Sequence, residues 1–248
     1  MKETKLIMGM PVIVEIKDDS ANEKIISRVF EYFTYVDNKF STYKPESEIS
    51  MINEGKILID KTSKDMKEIL SLSEKTKIET NGYFDIVNRE GKYDPSGIVK
   101  GWAILNAFKI ILEKGFLNFY VEAGGDIQVN GSANESNGWR IGIRNPFNVK
   151  EIIKMVYLKN NEGIATSGSY ERGFHIYNPK DKSKLTSEIV SLTVIGPNIY
   201  EADRFATAAY AMQDKGIYFI EKLKGFEAYM IDKNGKATMT SGFENYLT

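Results

Sequence analysis

From Leu6 to Ile16 apolar and polar residues alternate well enough to predict a strand, with Val12, Val14 and Ile16 on one face. The period then changes. Ile26, Val29, Phe30, Phe33, Val36 and Phe40 recur at helical spacing, with Ser20 and Glu23 read as a capping box in front of them. A polar stretch broken by Pro45 leads to a short helix ending near Asn53 and Gly55, and a further helix is expected from Thr62 to Glu79, closed by Asn81-Gly82. A third long helix carries Trp102, Leu105, Phe108, Ile111 and Leu112 and stops at Gly115.

Beyond Gly115 the pattern is one of short strands: Phe119 to Glu122, Ile127 to Val129, Trp139 to Ile143, Met155 to Leu158, Tyr170 to Tyr177 and Ile189 to Ile195. Helices return over Tyr200 to Met212 and Lys215 to Leu223, before strands near Glu227 to Ile231 and Ala237 to Thr240. Runs of helices and runs of strands, without regular alternation, predict an α+β fold in which helices pack on an antiparallel meander. The layout of strand, helices and meander occurs loosely twice, which hints at an internal duplication.

Composition narrows the function. The 248 residues, 42% hydrophobic, suffice for one large domain or two small, closely packed ones. Thirty-three basic and 34 acidic residues, with no basic stripe, argue against a nucleic-acid partner. The absence of cysteine excludes disulfides, thiolate metal sites and a cysteine nucleophile, so any metal must be held by oxygen or by the single histidine. No apolar run approaches membrane-spanning length, and the Met1 to Met8 start does not read as a signal peptide. As written the chain is expected to be cytoplasmic, or exported if a leader has been removed.

Four stretches carry candidate chemistry. Asp94-Pro95-Ser96-Gly97-Ile98-Val99-Lys100-Gly101-Trp102 opens the third long helix, with Asp94 as the expected N-cap and Pro95 in the first turn. Free amides, the positive end of the helix dipole and Lys100 would make this start either an anion cradle or a capped helix under a loop. Asp203 and Thr207 lie four apart on a helix, so a carboxylate and a hydroxyl converge on one hard cation such as Mg2+, or form a solvated face. Glu122-Ala123-Gly124-Gly125-Asp126 reads as a strand entering a hairpin turn. Ala165 to Arg172 leads to His175, the one side chain whose ordinary pKa lies near neutrality. His175 is a candidate general base, with Asp203 as its rival. No Ser-His-Asp order or nucleophile elbow is present.

The order of these blocks resembles the ApbE-type FAD:protein FMN transferases. Met8-Gly9-Met10-Pro11 is similar to the family's Met-Gly-Thr start, and Phe40-Ser41-Thr42-Tyr43, with Ser47, Glu48, Ile49 and Asn53, to its Phe-Ser-x-Tyr block. Gly82-Tyr83-Phe84-Asp85-Ile86 resembles Gly-x-Phe-Asp-Ile, Asp94 to Trp102 resembles Asp-x-Gly-Gly-x-x-Lys-Gly-Tyr, and Gly124-Gly125-Asp126 matches Gly-Gly-Asp. Thr166 to Arg172, His175 to Pro179 and Asp203 to Thr207 complete the series.

The resemblance implies an enzyme built on a duplicated, T-fold-like αβ unit. It would cleave FAD at the pyrophosphate with Mg2+, join FMN to a Thr or Ser hydroxyl of an acceptor flavoprotein, and release AMP. It further implies FAD contacts from Asp94, Lys100 and Tyr177, and a nucleotide pocket lined by Met8, Tyr43, Tyr83, Phe84 and Asp85. The Gly97 carbonyl would join Asp203 and Thr207 on the metal. Three departures stand out: only eight residues separate Asp85 from Asp94, where typical members carry several times more, Leu105 replaces a customary acid, and the link from Arg172 to His175 is clipped. The short segment leaves one pocket wall reduced, so FAD hydrolysis to FMN and AMP, or noncatalytic FAD binding, are the alternatives.

Overall fold

The computed structural model describes residues 1–133, 138–168, 178–180 and 188–247. Residues 170–177, expected as a strand and containing His175 and Tyr177, lie outside the described residues.

The stretch read as one strand from Leu6 is a hairpin. β1 (Lys2–Ile7) and β2 (Met10–Ile16) pair antiparallel through a turn at Met8 and Gly9, whose φ angles are +56° and +71°. Two positive φ values in a two-residue loop match the twist of the flanking strands, which explains the break. Helix α1 (Glu23–Phe40) buries the expected apolar face, but its cap is Asn22, whose side chain accepts the Ile25 N–H, rather than Ser20. α2 (Glu48–Asn53), α3 (Lys64–Glu79) and α4 (Ser96–Leu112) follow; α3 starts two residues later than expected, capped by Ser63 and preceded by a 3-10 turn at Ile59–Lys61.

Strands β3 (Phe119–Ala123) and β4 (Asp126–Asn130) form a second hairpin over Gly124-Gly125. β5 (Trp139–Asn145) and β6 (Asn148–Leu158) form a separate two-stranded sheet. β7 (Gly163–Gly168) has no counterpart among the expected strands, because a run of glycine, alanine, threonine and serine carries little apolar alternation. β8 (Ile189–Gly196), α5 (Ile199–Ala211), α6 (Gly216–Glu221), β9 (Glu227–Asp232) and β10 (Ala237–Met239) complete the described elements.

The main sheet runs β1-β2-β3-β4-β7-β8-β9-β10, antiparallel throughout. Each half of it has the same plan of hairpin, helices and hairpin: β1-β2, α1 to α4, β3-β4, and then β7-β8, α5-α6, β9-β10. The expected α+β meander and its duplication are therefore visible as topology, with the β5-β6 hairpin inserted between the halves.

Period-two alternation gives each face of this sheet its own core. Val12, Val14, Ile16, Phe119, Val121, Leu192 and Val194 face the helices, while Tyr120, Val129, Ile195 and Ile231 pack with Trp139, Val156 and Leu158 of the β5-β6 hairpin. α4 is buried on nearly every side, against α1, α3, α5 and the sheet, which explains why its apolar residues do not keep to one stripe. Among the described residues no helix is long and apolar enough to cross a membrane.

Candidate functional site

The two halves meet where α4 crosses α5. Gly97 and Gly101, one turn apart on α4, face Thr207 and Asp203, one turn apart on α5. A Cβ built on Gly101 would lie 2.7 Å from the Asp203 Cβ and 2.9 Å from the Ile199 carbonyl oxygen. One built on Gly97 would lie 3.2 Å from the Thr207 methyl and 3.1 Å from the Phe84 ring. The glycines let the backbones approach closely enough for the Gly101 N–H to donate to Asp203 Oδ2 at 2.7 Å.

The start of α5 is fixed from the sheet. Gln128 on β4 accepts the Ile199 N–H at 2.7 Å and donates to the Asn161 carbonyl, also at 2.7 Å. The Asn198 side chain caps the next turn at Glu201. At Gly163 a Cβ would fall 2.2 Å from the Ile199 nitrogen, so the helix start rests directly on β7 backbone. From the other side Arg204, 3% exposed, binds Glu201, Glu79 and Thr76 and lies 3.9 Å over the Phe205 ring. This ties α5 to α3 and fixes the rotation that turns Asp203 and Thr207 toward α4.

Asp203 is 3% exposed and Asp126, at the end of the β3-β4 turn, is 1% exposed. Lys100 Nζ lies between them, 2.6 Å from Asp126 Oδ2 and 3.6 Å from Asp203 Oδ1. Asp126 Oδ1 accepts the Thr166 N–H at 3.0 Å. Desolvation pushes the Asp203 carboxyl up to about 7; Lys100 opposes this shift and Asp126 adds to it. Once Asp203 has lost its proton, two buried carboxylates against one ammonium leave a net negative charge among the described residues that a hard cation would offset. Among the described residues the nearby donors are oxygen: Asp203, the Thr207 hydroxyl and the main chain at Gly97. Among the described residues no group of three or more His, Asp or Glu side chains gathers. A cation here would therefore complete its shell with hydroxyl, carbonyl, water or phosphate oxygens, as Mg2+ does.

α4 begins at Ser96, with Pro95 at the boundary and no cap bond from Pro95 itself. Pro95 is thus the N-cap and the helix starts one residue later than expected; Asp94, one position before the cap, still accepts the Ser96 N–H at 3.0 Å. Met8, Tyr43, Asp94 and Lys100 line one small cleft of about 90 Å³, with Phe40 and Ser96 between them. Tyr43 is 94% exposed at its rim. A cavity of about 640 Å³ opens under the β5-β6 hairpin and is also lined by Asp126 and Thr166. The small cleft is too small for a whole dinucleotide; Lys100 lines it and Asp126 lines the larger cavity, so this ion pair lies between the two spaces.

The remaining pocket candidates sit differently. Phe84 is buried, its ring edge against Gly97, and supports the floor of the site. The Asp85 carboxylate is taken up by Lys77 at 2.7 Å and by the Val87 N–H at 2.9 Å. The Tyr83 ring lies under Lys180, 4.9 Å from its ammonium. The shortened segment after Asp85 closes as a tight loop bridged between Val87 and Tyr93. Asn53 clamps that loop by accepting the Tyr93 N–H at 2.7 Å and donating to the Tyr93 carbonyl at 2.9 Å. Asp126, Gly101 and Gln128 were not among the expected site residues; the Gly-Gly-Asp block was the one sequence signal for the first of them.

The ApbE family model matches residues 8–90 and 87–230, which together span most of the chain and every described residue of the site. The chain belongs to the ApbE family. Its curated relatives include the FAD:protein FMN transferases of Klebsiella pneumoniae (24% identical over 75% of this chain and 59% of the relative) and Escherichia coli K12 (27% over 62% and 47%). The chain thus spans roughly half to three fifths of the length of these relatives. The Haemophilus influenzae protein of the same name aligns over all of this chain and 93% of its own length at 24% identity. Among solved structures the ApbE protein of Thermotoga maritima superposes with a TM-score of 0.89 at 21% identity, covering 100% of this chain and 99% of the other. The flavin transferase ApbE of Vibrio cholerae gives 0.86 at 20%, with the same coverage. At these identities the superpositions establish the ApbE fold.

Proposed function

We propose that this ApbE-family chain is a Mg2+-dependent FAD:protein FMN transferase. The observation that carries the reading is Lys100, lodged between two buried carboxylates at the start of α4 and facing the Asp203–Thr207 side of α5. Asp203, Thr207 and the Gly97 carbonyl would hold the metal, and a bound Mg2+ supplies charge neutralisation at non-bridging phosphate oxygens. Lys100 meets the pyrophosphate; the expected row of free amides is taken up, because the Ser96 N–H donates to Asp94 and those of Ile98 and Val99 to the Pro95 carbonyl, so the α4 start contributes chiefly its dipole. Tyr43 and Met8 offer apolar faces to a flat ring at the cleft mouth.

In the transfer, a Thr or Ser hydroxyl oxygen of an acceptor flavoprotein forms a bond to the phosphorus on the FMN side. The bond from that phosphorus to the bridging oxygen breaks, AMP leaves with the oxygen, and the hydroxyl proton passes to a base. Asp203 Oδ2 is occupied by the Gly101 N–H and Oδ1 faces Lys100 and the cation position, so Asp203 suits a ligand better than a base. We assign the base to His175, and a flavin contact to Tyr177, two positions on in the sequence.

The test is incubation with FAD, Mg2+ and an acceptor domain bearing a Thr or Ser site. The expected products are a covalently fluorescent acceptor and one AMP for each FMN attached. FMN and AMP released freely at the same rate without acceptor would mean that water is the nucleophile and the chain is an FAD pyrophosphatase. Tight FAD binding without any product would make it a binding protein.

A further inference from the structure

Resting on the cation-site reading above, we propose that Asp126 is a positioning residue that holds the Lys100 ammonium away from Asp203, and so sets the divalent-cation affinity of the site. Asp126 is engaged before any cation arrives: its Oδ1 accepts the Thr166 N–H at 3.0 Å, and its buried Oδ2, which has no hydrogen bond of good geometry, makes an ion-pair contact with the Lys100 ammonium at 2.6 Å. Its own position is rigid: it closes a two-glycine hairpin turn, and the strand bearing Thr166 is tied to its neighbour by the Thr166–Thr193 hydroxyl contact at 2.9 Å. A buried acid at a hairpin end is costly unless paired, and Lys100 is the charge that pairs it.

The two distances define the function. Lys100 is 1.0 Å closer to Asp126 (2.6 Å) than to Asp203 (3.6 Å), so the nearer carboxylate anchors the ammonium and Asp203 Oδ1 keeps only a long contact with it. Without the Asp126 charge, the ammonium would be drawn onto Asp203, where it would occupy the oxygen a cation needs. Asp126 thus acts on the cation through Lys100, in the manner of partners beyond the ligand shell that tune metal affinity.

A double-mutant cycle read by direct Mn2+ binding, counting free Mn2+ by electron paramagnetic resonance, separates this from a local structural or field effect. Asp126→Asn keeps an oxygen to accept the Thr166 N–H and is expected to weaken Mn2+ binding by about tenfold or more. Lys100→Met is expected to tighten it. In the Lys100→Met background, Asp126→Asn should change affinity by no more than about twofold, the ordinary error of additivity for uncoupled sites. Equal losses in both backgrounds, or weaker binding in Lys100→Met, would overturn the proposal. Circular dichroism melts accompany each variant; if Asp126→Asn does not fold, the sign of the Lys100→Met effect decides. A wild-type protein that binds no Mn2+, with or without FAD, would sink the cation reading itself and this inference with it, whereas normal binding that is insensitive to the cycle sinks the inference alone.

Discussion

Replacing Gly101 by alanine sets two opposed effects against each other in the middle of the α4–α5 crossing. Alanine is the better helix former by about 1 kcal/mol, which would stabilise the protein if space were open. Space is not open, since the new methyl would stand 2.7 Å from the Asp203 Cβ and 2.9 Å from the Ile199 carbonyl oxygen. Neither atom is the end of a flexible side chain, so the helices must part, at a cost of about 1–3 kcal/mol for overpacking. Parting them also stretches the 2.7 Å bond from the Gly101 N–H to the Asp203 carboxylate, a charged acceptor worth about 1.5–3 kcal/mol. The net expectation is a loss of about 2–4 kcal/mol. For a chain of this length that lowers the melting midpoint by roughly 4–16 °C, measured by circular dichroism at 222 nm. Gly97→Ala is the control: its methyl meets only a ring edge and a methyl group at 3.1 and 3.2 Å, which can give, so its net effect stays within about 1 kcal/mol. A Gly101→Ala protein melting at or above the wild-type temperature would refute the close-crossing argument.

Asp203 also makes a pH prediction. Its folded pKa lies above its unfolded value, so the folded state holds the proton more tightly; stability is greatest below the unfolded pKa and falls as pH rises from about 4 towards about 7. Melting midpoints of wild type and Asp203→Asn, compared across that window without divalent cation, should show this component in wild type only, and identical slopes would contradict the burial argument. Tyr43→Ala removes an exposed side chain and should leave stability within about 0.5 kcal/mol. It should weaken FAD binding by roughly 2- to 13-fold, the equivalent of about 0.5–1.5 kcal/mol of ring stacking; unchanged FAD titrations would remove Tyr43 from the site. Asn53→Ala deletes both bonds to Tyr93 and should cost about 1–3 kcal/mol, while hydrogen exchange at residues 87–94 rises; unaltered exchange there would show that Asn53 is not the clamp.

How far the sequence carried depended on whether the signal was local. The α1 face from Ile26 to Phe40 and the long helix through Trp102 were legible because burial of a helical stripe repeats in the chain itself. The Met8-Gly9 turn was hidden because apolar residues flank it and methionine is no customary turn former, although Gly9 and Pro11 were available signals. β7 escaped for a different reason. Its small residues are chosen by what lies on them: Gly163 admits the start of α5, and the Thr166 backbone binds Asp126. The site divided in the same way. Asp203, Thr207 and Lys100 could be named from one helix at a time, the role of Gly97 came from the family resemblance, and the structure brings the four together at one crossing. That Asp126 pairs with Lys100 depends on two segments 26 positions apart meeting across the sheet and helix layers, which no local pattern encodes.

The α4–α5 crossing is the place where a cation would serve flavin transfer. Labelling of a Thr- or Ser-bearing acceptor with FAD should be titrated with Mg2+ for wild type, Asp203→Ala and Thr207→Ala, with the folded state of each checked by circular dichroism. The prediction is that wild type labels the acceptor only when Mg2+ is present, and that both variants remain folded but lose Mg2+-dependent labelling. Variants that label with the wild-type Mg2+ dependence, or an acceptor left unmodified by wild type while an established transferase modifies it, would contradict the account.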